Sequence, residues 1–524
     1  MDMQTQQIEV NQDFRRALRL MEESSSHVFI TGKAGTGKST LLEYFRSQTQ
    51  KKIAVLAPTG VAALNIQGQT IHSFFGFKTD VTLSKIKPKK QGIRIYKELE
   101  AIVIDEISMV RADLLDCVDT FMRLHGPEKQ VPFGGVQMIF IGDLYQLPPV
   151  VSSQERQAFQ SGYKSEYFFD AAVFHDPSYQ LELVELHTIY RQQDDTFITL
   201  LNAIRNNTIT EEMLEQLNTR CIPDFEESED QLPIVLTPFN AEAERINKLR
   251  LDQLPGEPCH FQGVLRGEVS AHVVPTSVDL HLKEQAQVMF VNNDSEGNWV
   301  NGTLGRVVEI EEGETDEEPP EILVEREDGL LVDVRPYTWE VIRFFYDQQE
   351  RQMHSEAIGT FTQYPLRLAW AVTIHKSQGK TFDRVIVDLG RGTFTYGQLY
   401  VALSRCTSME GLVLIRPVKK EHVMVDYRVA RFMTDAQYQQ AEREFPLRDK
   451  IQFLEAAVDK GDPLTITYLK TNDTLTTRKV LPKAVGQMEY RKKEFPGLSA
   501  RCLLRNQDRI FRIDRIVGIE EKDM

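Results

Sequence analysis

The segment Gly32-Lys33-Ala34-Gly35-Thr36-Gly37-Lys38-Ser39 fits the pattern G-x-x-x-x-G-K-[ST]. Its glycines let backbone N–H groups close around phosphate oxygens, and a helix opening at Thr40 adds the field of its N-terminus. Lys38 is placed to neutralise the β- and γ-phosphates of a nucleoside triphosphate, and the Ser39 hydroxyl to ligate Mg²⁺. Ala34, Thr36 and Thr40 complete the loop. Further on, Asp105-Glu106 follows the apolar run Ile102-Val103-Ile104. Asp105 suits Mg²⁺, directly or through water, and Glu106 suits an attacking water. Gln146, in Gly142-Asp143-Leu144-Tyr145-Gln146-Leu147-Pro148-Pro149, is placed to sense the γ-phosphate by hydrogen bonding. Hydrolysis at such a site is mostly electrostatic, and an arginine aimed at the γ-phosphate is worth ~10³–10⁵ in rate. Arg191, in Thr188-Ile189-Tyr190-Arg191-Gln192, and Arg405, in Val401-Ala402-Leu403-Ser404-Arg405, are the candidates.

These groups need a scaffold that brings them to one edge. Val28 to Ile30, Ile53 to Leu56, Ile102 to Ile104 and Met138 to Ile141 are short apolar runs, each ending in a chemistry-bearing turn. Such runs read as buried parallel strands, and alternation with helical stretches predicts an α/β sheet that binds ligands at the carboxyl ends of its strands. Ile234 to Leu236, Val385 to Val387 and Leu412 to Ile415 predict a second α/β lobe. Residues 255–355, rich in Val, Thr, Gly and acidic turns, predict a small inserted β-barrel. Within and beside it, 309–328 is dense in Glu and Asp and reads as a solvated hairpin or loop. Residues 426–461 read as a helical linker, and from 462 onwards short β-like runs return. The boundaries are therefore 1–180 for the first lobe, 181–254 with 356–425 for the second, 255–355, 426–461 and 462–524.

The chain has 524 residues, too many for one core. No apolar run approaches the ~18–20 residues of a membrane span. The polar N-terminus is neither a secretory signal nor an Arg-rich transit peptide. Cys117, Cys221, Cys259, Cys406 and Cys502 are scattered and form no C-x-x-C pair, which excludes a disulfide framework or a cysteine zinc site. These features predict a cytoplasmic location, nucleoid-associated in a bacterium. The net charge of −16 opposes nucleic-acid binding only as a global sum, because a cleft can be basic inside an acidic protein.

The ordered set GKAGTGKST, APTGVAALNIQGQTIHSFFG (57–76), IDEISMV (104–110), FGGVQMIFIGDLYQLPPV (133–150), YRQ (190–192), WVNGTLG (299–305), AVTIHKSQGKTFDRVIVDLG (371–390) and YVALSRC (400–406) resembles superfamily 1 helicases of the Pif type. RecD-type and Dda-type helicases share several of these motifs. The resemblance implies two RecA-like P-loop lobes with ATP and Mg²⁺ between them, and 5′-to-3′ movement on single-stranded DNA with unwinding of forked or structured DNA, quadruplexes included. It implies a monomeric motor of DNA replication, repair and telomere maintenance. Arg191 and Arg405 then match the arginines that reach the γ-phosphate, and Gln378 and Gly379 the part of HKSQG that couples nucleotide to DNA. The family reads adenine with a glutamine upstream of the P-loop, for which Gln12 stands nearest. It carries a small wedge where 76–97 lies, and its inserted barrel of the Src-homology-3 type falls at 255–355.

Tracking a single strand needs cations for the backbone and apolar or aromatic faces for bases. Pro58, Thr59, His72, Ser73 and Phe74 after the second strand, Pro148 beside the phosphate sensor, and Thr373, His375 and Lys376 in the second lobe are the candidates, and the resemblance lays them along the strand path. Residues 463–520 resemble a WYL domain in which Pro496-Gly497-Leu498 stands where the namesake triplet would be. Arg501, Arg512 and Arg515 are its candidate DNA contacts. A regulator moved by ATP without translocation is the rival reading.

Overall fold

The apolar runs before each chemistry-bearing turn become neighbouring strands because each is buried on both faces. A computed structural model describes residues 11–78, 81–152, 155–192, 194–223, 225, 232–269, 274–311, 319–347, 352–490 and 493–521. It falls into two units, residues 1–424 and 425–524.

The first lobe of the larger unit is a parallel sheet of β1 (His27–Gly32), β2 (Ile53–Ala57), β3 (Gln69–Thr70), β4 (Ala101–Ile104), β5 (Gln137–Ile141) and β6 (Leu181–Leu186), in the spatial order β3-β2-β4-β5-β1-β6. Every residue of β1, β4 and β5 is buried, as strands covered by helices on both faces require. Helix Gln12–Glu23 turns Phe14, Ala17 and Met21 onto this sheet, where they join Val28, Ile30, Val55 and Ile139. The sheet corrects the first domain boundary. Leu181–Leu186 pairs along the whole of β1, so the lobe continues past residue 180.

The second parallel sheet orders Ala371–Thr373, Ile234–Thr237, Val385–Val387 and Leu412–Leu414. Between its first two strands in sequence the chain departs into antiparallel structure. Leu331–Val334, Glu321–Arg326, Leu304–Glu311, Gln287–Phe290 and Leu366–Leu368 form one sheet around Val288, Phe290, Trp299, Ile322 and Val324. Cys259–Gln262 pairs with Asp279–Leu282. A long hairpin, Tyr337–Asp347 with Gln352–Gln363, joins Val264–Gly267. The described strands thus lie in three sheets and run on to residue 368, past the expected limit of 355. Of the acidic stretch, Glu321–Arg326 is a strand with Ile322 and Val324 buried, and 312–318 lies outside the described residues. The hairpin returns to the first lobe, where the Phe344 N–H donates to Gln69 Oε1 (3.2 Å) and its ring meets Phe74 (6.2 Å). In the segment expected to carry a wedge, 79–80 lies outside the described residues. Beside it, Phe77 stacks on Phe75 and the Lys89 N–H donates to His125 Nε2 (3.2 Å).

The smaller unit corrects the linker. Helices Tyr427–Glu444 and Leu447–Lys460 belong to it, and Leu454 and Ala457 are buried among Leu464, Ile466, Val480, Leu498 and Phe511 of its antiparallel sheet. That sheet orders Gln507–Arg512, Lys493–Cys502, Thr474–Tyr490, Leu464–Lys470 and Ile516–Glu521. The polarity that suggested a linker is the solvent face of amphipathic helices. Leu454→Ala in the full chain is expected to destabilise this unit by about 2–5 kcal/mol. Faster hydrogen exchange in Leu464–Lys470 checks it; a solvated linker helix would lose less than about 0.5 kcal/mol.

Candidate functional site

The phosphate loop leaves β1 at Gly32 and enters helix Lys38–Gln48 through Gly37. Gly35 has φ +80°, and a Cβ there would sit 2.4 Å from Arg191 Cβ. Only glycine permits that approach, which the Tyr190 N–H fixes by donating to Gly35 O (2.8 Å). Lys38 Nζ donates to Gly32 O (2.8 Å) and Lys33 O (3.0 Å), and Thr36 Oγ1 donates to Lys33 O (2.9 Å). Residues Ala34 to Thr40 line a cavity of about 550 Å³ with Asp105, Glu106, Gln146, Arg191 and Arg405, so groups up to 371 residues apart in the chain converge on one space.

The acidic pair at the end of β4 is held in low dielectric. Burial and then the Glu106 charge push the Asp105 pKa up; burial raises that of Glu106 against the opposing pull of Lys38 and Arg405. Glu106 sits in the left-handed region (φ 49°), a conformation a non-glycine residue adopts when its surroundings dictate it. Gln378 Nε2 donates to Glu106 Oε2 (2.9 Å), so the second lobe orients that carboxylate directly. Burial lowers the Lys38 pKa, with Arg191 and Arg205 adding to the effect and Asp143 and Glu106 opposing it.

Across the cavity, Arg405 is fully buried. Its Nε donates to Val401 O (2.9 Å), one terminal nitrogen to Lys380 O (3.2 Å) and the other to Ser404 Oγ (2.9 Å). Arg191 donates to Ser404 O (3.2 Å), and Gln192 Nε2 to Ser404 O (3.1 Å) and Cys406 O (3.0 Å). Helix Gln398–Leu403 touches the first lobe twice. The Ala34 N–H donates to the Tyr400 hydroxyl (2.9 Å), and a Cβ on Gly397 would lie 2.4 Å from Gln146 O. Asp143, buried below Gln146, accepts from the Tyr145 N–H (3.1 Å) and lies 3.6 Å from buried Arg205.

The sequence therefore located the cleft's main groups, with one correction. Gln12 is exposed in the first turn of its helix and does not line the cavity; Phe14 and Tyr190 do. Asn11 caps that helix through the Phe14 N–H (2.9 Å) and spends its amide on the Tyr190 hydroxyl (3.1 Å). Ser39 and Asp105, a hydroxyl and a carboxylate lining one cavity, are the oxygen donors a hard divalent cation takes, so the residues fit Mg²⁺. Tyr400, Gly397, Asp143, Arg205 and Gln192 were missed. Tyr400 stood inside the quoted YVALSRC and Asp143 inside GDLYQLPP, but only the fold gives them partners.

A second, larger cleft of about 2030 Å³ shares Ser39, Asp105, Glu106 and Gly379 with the nucleotide cavity. Lys248, Arg367, Lys376 and Lys380 line it, as do Glu43, Glu244, Asp252, Glu257 and Asp279, so its wall carries both signs of charge, with Arg367, Lys376 and Lys380 grouped on the second lobe. Desolvation of half-buried Lys380, with Arg367 nearby, lowers its pKa to about 7, and its Nζ donates to Asn301, whose amide donates to Asn65 Oδ1 (2.9 Å). Thr59 and His375 also line this cleft. Ser73 is exposed, and Pro58 and His72 are half-buried. Burial lowers the pKa of His72 and of His375, favouring the neutral form of each ring. Phe74, Pro148 and Thr373 are corrections: each is buried. Phe74 packs edge-on against Phe75 (4.9 Å) and Tyr96 (5.5 Å) and presents no face to a base. Exposed rings stand elsewhere. Phe239 and Phe394, each about half exposed, stack at 5.3 Å, and His375 lies 6.4 Å from Phe394. In the smaller unit Arg501 donates to Asn506 Oδ1 (2.6 Å) and Arg512 to Asp514 (2.6 Å), while Arg515 is half-buried.

The family model described as PIF1-like helicase matches residues 4–215, and the UvrD-like helicase C-terminal domain matches 368–413. The chain is 32% identical to an ATP-dependent DNA helicase Pif1 of Bdellovibrio bacteriovorus, over 82% of this chain and 93% of that protein. It is 32% identical to an ATP-dependent DNA helicase PIF1 of Emericella nidulans, over 80% of this chain but only 62% of that longer protein. Among solved structures, a Bacteroides Pif1 in complex with ADP-AlF4 is similar at TM-score 0.73 and 35% identity, covering 83% of this chain and 97% of that one. The Bacteroides Pif1 bound to single-stranded DNA gives 0.58, with the same identity and coverage.

Two outcomes follow from the cleft. Tyr400→Phe leaves the buried Ala34 N–H without its acceptor, a loss of about 1–3 kcal/mol. The apparent KM for ATP is expected to rise roughly 5- to 150-fold with the circular dichroism spectrum unchanged; an unaltered KM removes this bond from nucleotide binding. The raised Asp105 pKa means that a proton increasingly holds the carboxylate as pH falls through neutrality. Apparent Mg²⁺ affinity, measured by titrating ATP hydrolysis with Mg²⁺, is therefore expected to weaken from pH 8 to pH 6 by more than free ATP titration explains.

Proposed function

Since the chain belongs to the PIF1-like family of ATP-dependent DNA helicases, we propose that it draws single-stranded DNA 5′ to 3′ through the larger cleft by closing and opening its two lobes around ATP. The observation that carries this is the shared wall: Asp105, Glu106 and Gly379 border both the nucleotide cavity and the larger cleft. Lys38 holds the triphosphate from the first lobe, and Arg191 and Arg405 meet its γ-phosphate from the other side. Ser39 and Asp105 would hold Mg²⁺, which supplies charge neutralisation at the phosphate oxygens when bound. Glu106, oriented by Gln378, takes the attacking water, and Gln146 reports the γ-phosphate to the loop beneath Gly397. Loss of that phosphate removes what the arginines grip, so the equilibrium between closed and open lobes shifts with each turnover.

The strand itself lies against Lys248, Arg367 and Lys376, with Phe239, Phe394 and His375 as the aromatic platform. Base–aromatic stacking of this kind contributes about 1–3 kcal/mol per base without sequence preference. The relatives support the partner: one Bacteroides Pif1 structure is bound to single-stranded DNA, and another concerns unwinding at forked duplex DNA by two coordinating Pif1 helicases. Thr59, Ser73 and Pro58 contact the same strand from the first lobe. The wedge at 76–97 and the Src-homology-3 character of the inserted sheets belong to this reading. So do its action as a cytoplasmic monomer and a WYL-like smaller unit that touches DNA through Arg515. In that unit Arg501 and Arg512 are already paired within the chain.

The test is a tailed duplex. ATP hydrolysis is expected to be stimulated by single-stranded DNA, and a duplex with a 5′ tail to be unwound while a 3′-tailed one is not. Hydrolysis indifferent to DNA rejects the motor, and a 3′-tail requirement reverses the polarity.

A further inference from the structure

At the start of the inserted β structure, the paired strands Cys259–Gln262 and Asp279–Leu282 bring together three groups that lie outside the nucleotide cavity. The register sets His260 directly opposite His281. Strand alternation puts Asp279 on the same face as His281, two residues away. Directly opposed residues of an antiparallel pair have Cβ atoms only about 4.5–5.5 Å apart. The result is a compact constellation: one ligand atom from each of His260, Asp279 and His281 can be chosen so that all lie within 4.8 Å of one another. The two imidazoles are 4.1 Å apart between centroids.

His281 Nε2 gives a second, independent observation. That atom is buried and has no hydrogen-bond partner, although the Asp279 carboxylate lies 2.9 Å away. The contact is close but outside hydrogen-bonding geometry, so the polar neighbour of this ring nitrogen is a carboxylate with which it could share a cation. His260 Nδ1 is 4.0 Å from the other Asp279 oxygen. A cation between the three groups would take up that ring nitrogen and the carboxylate together.

We propose that His260, Asp279 and His281 form a binding site for a divalent transition-metal ion of the Zn²⁺ class. Two imidazoles and one carboxylate, with water completing a tetrahedron, are ligands that zinc accepts and that Mg²⁺ does not favour. The ion would staple the two strands and neutralise Asp279. Asp279 and His281 border the large cleft, so the bound ion adds a positive charge to the wall along which a phosphate backbone would run.

The experiment uses the full chain, stripped with EDTA and held in millimolar Mg²⁺ so that the Asp105 site is saturated. Calorimetric titration with ZnCl₂ is expected to show one equivalent bound at micromolar affinity or tighter. The His260→Gln, His281→Gln double variant is expected to lose that equivalent, with at least a 100-fold drop in affinity. Neither altered side chain lines the nucleotide cavity, so ATP hydrolysis measured without zinc and without DNA is expected to stay unchanged. Co²⁺ in place of Zn²⁺ is expected to give visible bands without a thiolate charge-transfer band, which separates this cluster from nearby Cys259. No zinc uptake by the native chain, or equal uptake by the double variant, overturns the site. Neither result bears on the motor, because the readout is metal binding and not unwinding.

Discussion

Charge withdrawn from water around a single cavity is the constraint on which the rest of this structure rests. Lys38, Arg191, Arg205 and Arg405 are gathered with Asp105, Glu106 and Asp143 in a space closed by two lobes. Burial disfavours the ionised forms of Lys38, Arg191 and Arg405 on one side and of Asp105 and Glu106 on the other, lowering the basic and raising the acidic pKa values. Pairing offsets only part of the desolvation cost. A triphosphate with its divalent cation is the kind of ligand that completes such an arrangement, because it brings anionic oxygens to the arginines and a cation to the carboxylates. The two lobes are therefore held in register by the chemistry they perform.

That dependence explains the unusual neutrality of the joints nearby. Ala34 with Tyr400, Gly35 with Tyr190 and Gly397 with the Gln146 carbonyl are backbone-level contacts between segments far apart in the chain. They place the lobes without adding charge, and glycine at 35 and 397 lets main chain approach main chain. Charged side chains then aim inward from a frame already fixed.

The legible part of the molecule was local. A phosphate loop is spelled by consecutive residues, and Asp105-Glu106 announces itself at the end of an apolar run, so both could be read before any fold was known. Exposure could not. Phe74 and Phe394 are the same residue type, yet Phe74 is buried beneath the hairpin from 337 to 363 and Phe394 is open to solvent. Which one can meet a base depends on packing between segments some 270 residues apart. Leu181–Leu186 lay beyond the expected boundary because an edge strand is assigned by its partner, β1, rather than by its own composition. The helices from 427 to 460 showed their polar faces in the sequence, and their apolar faces became meaningful only against a sheet formed later in the chain. Gln12 failed for a related reason: one residue of helical phase decides whether a side chain faces a cavity or water.

The hairpin Tyr337–Asp347 with Gln352–Gln363 leaves the second lobe's sequence yet fastens to the first lobe through Gln69 and Phe74. Asn301 does likewise through Asn65. Two bodies riveted at such points cannot drift apart freely. An insertion that looks like an ornament on one lobe is thus also a clasp that reaches across to the other.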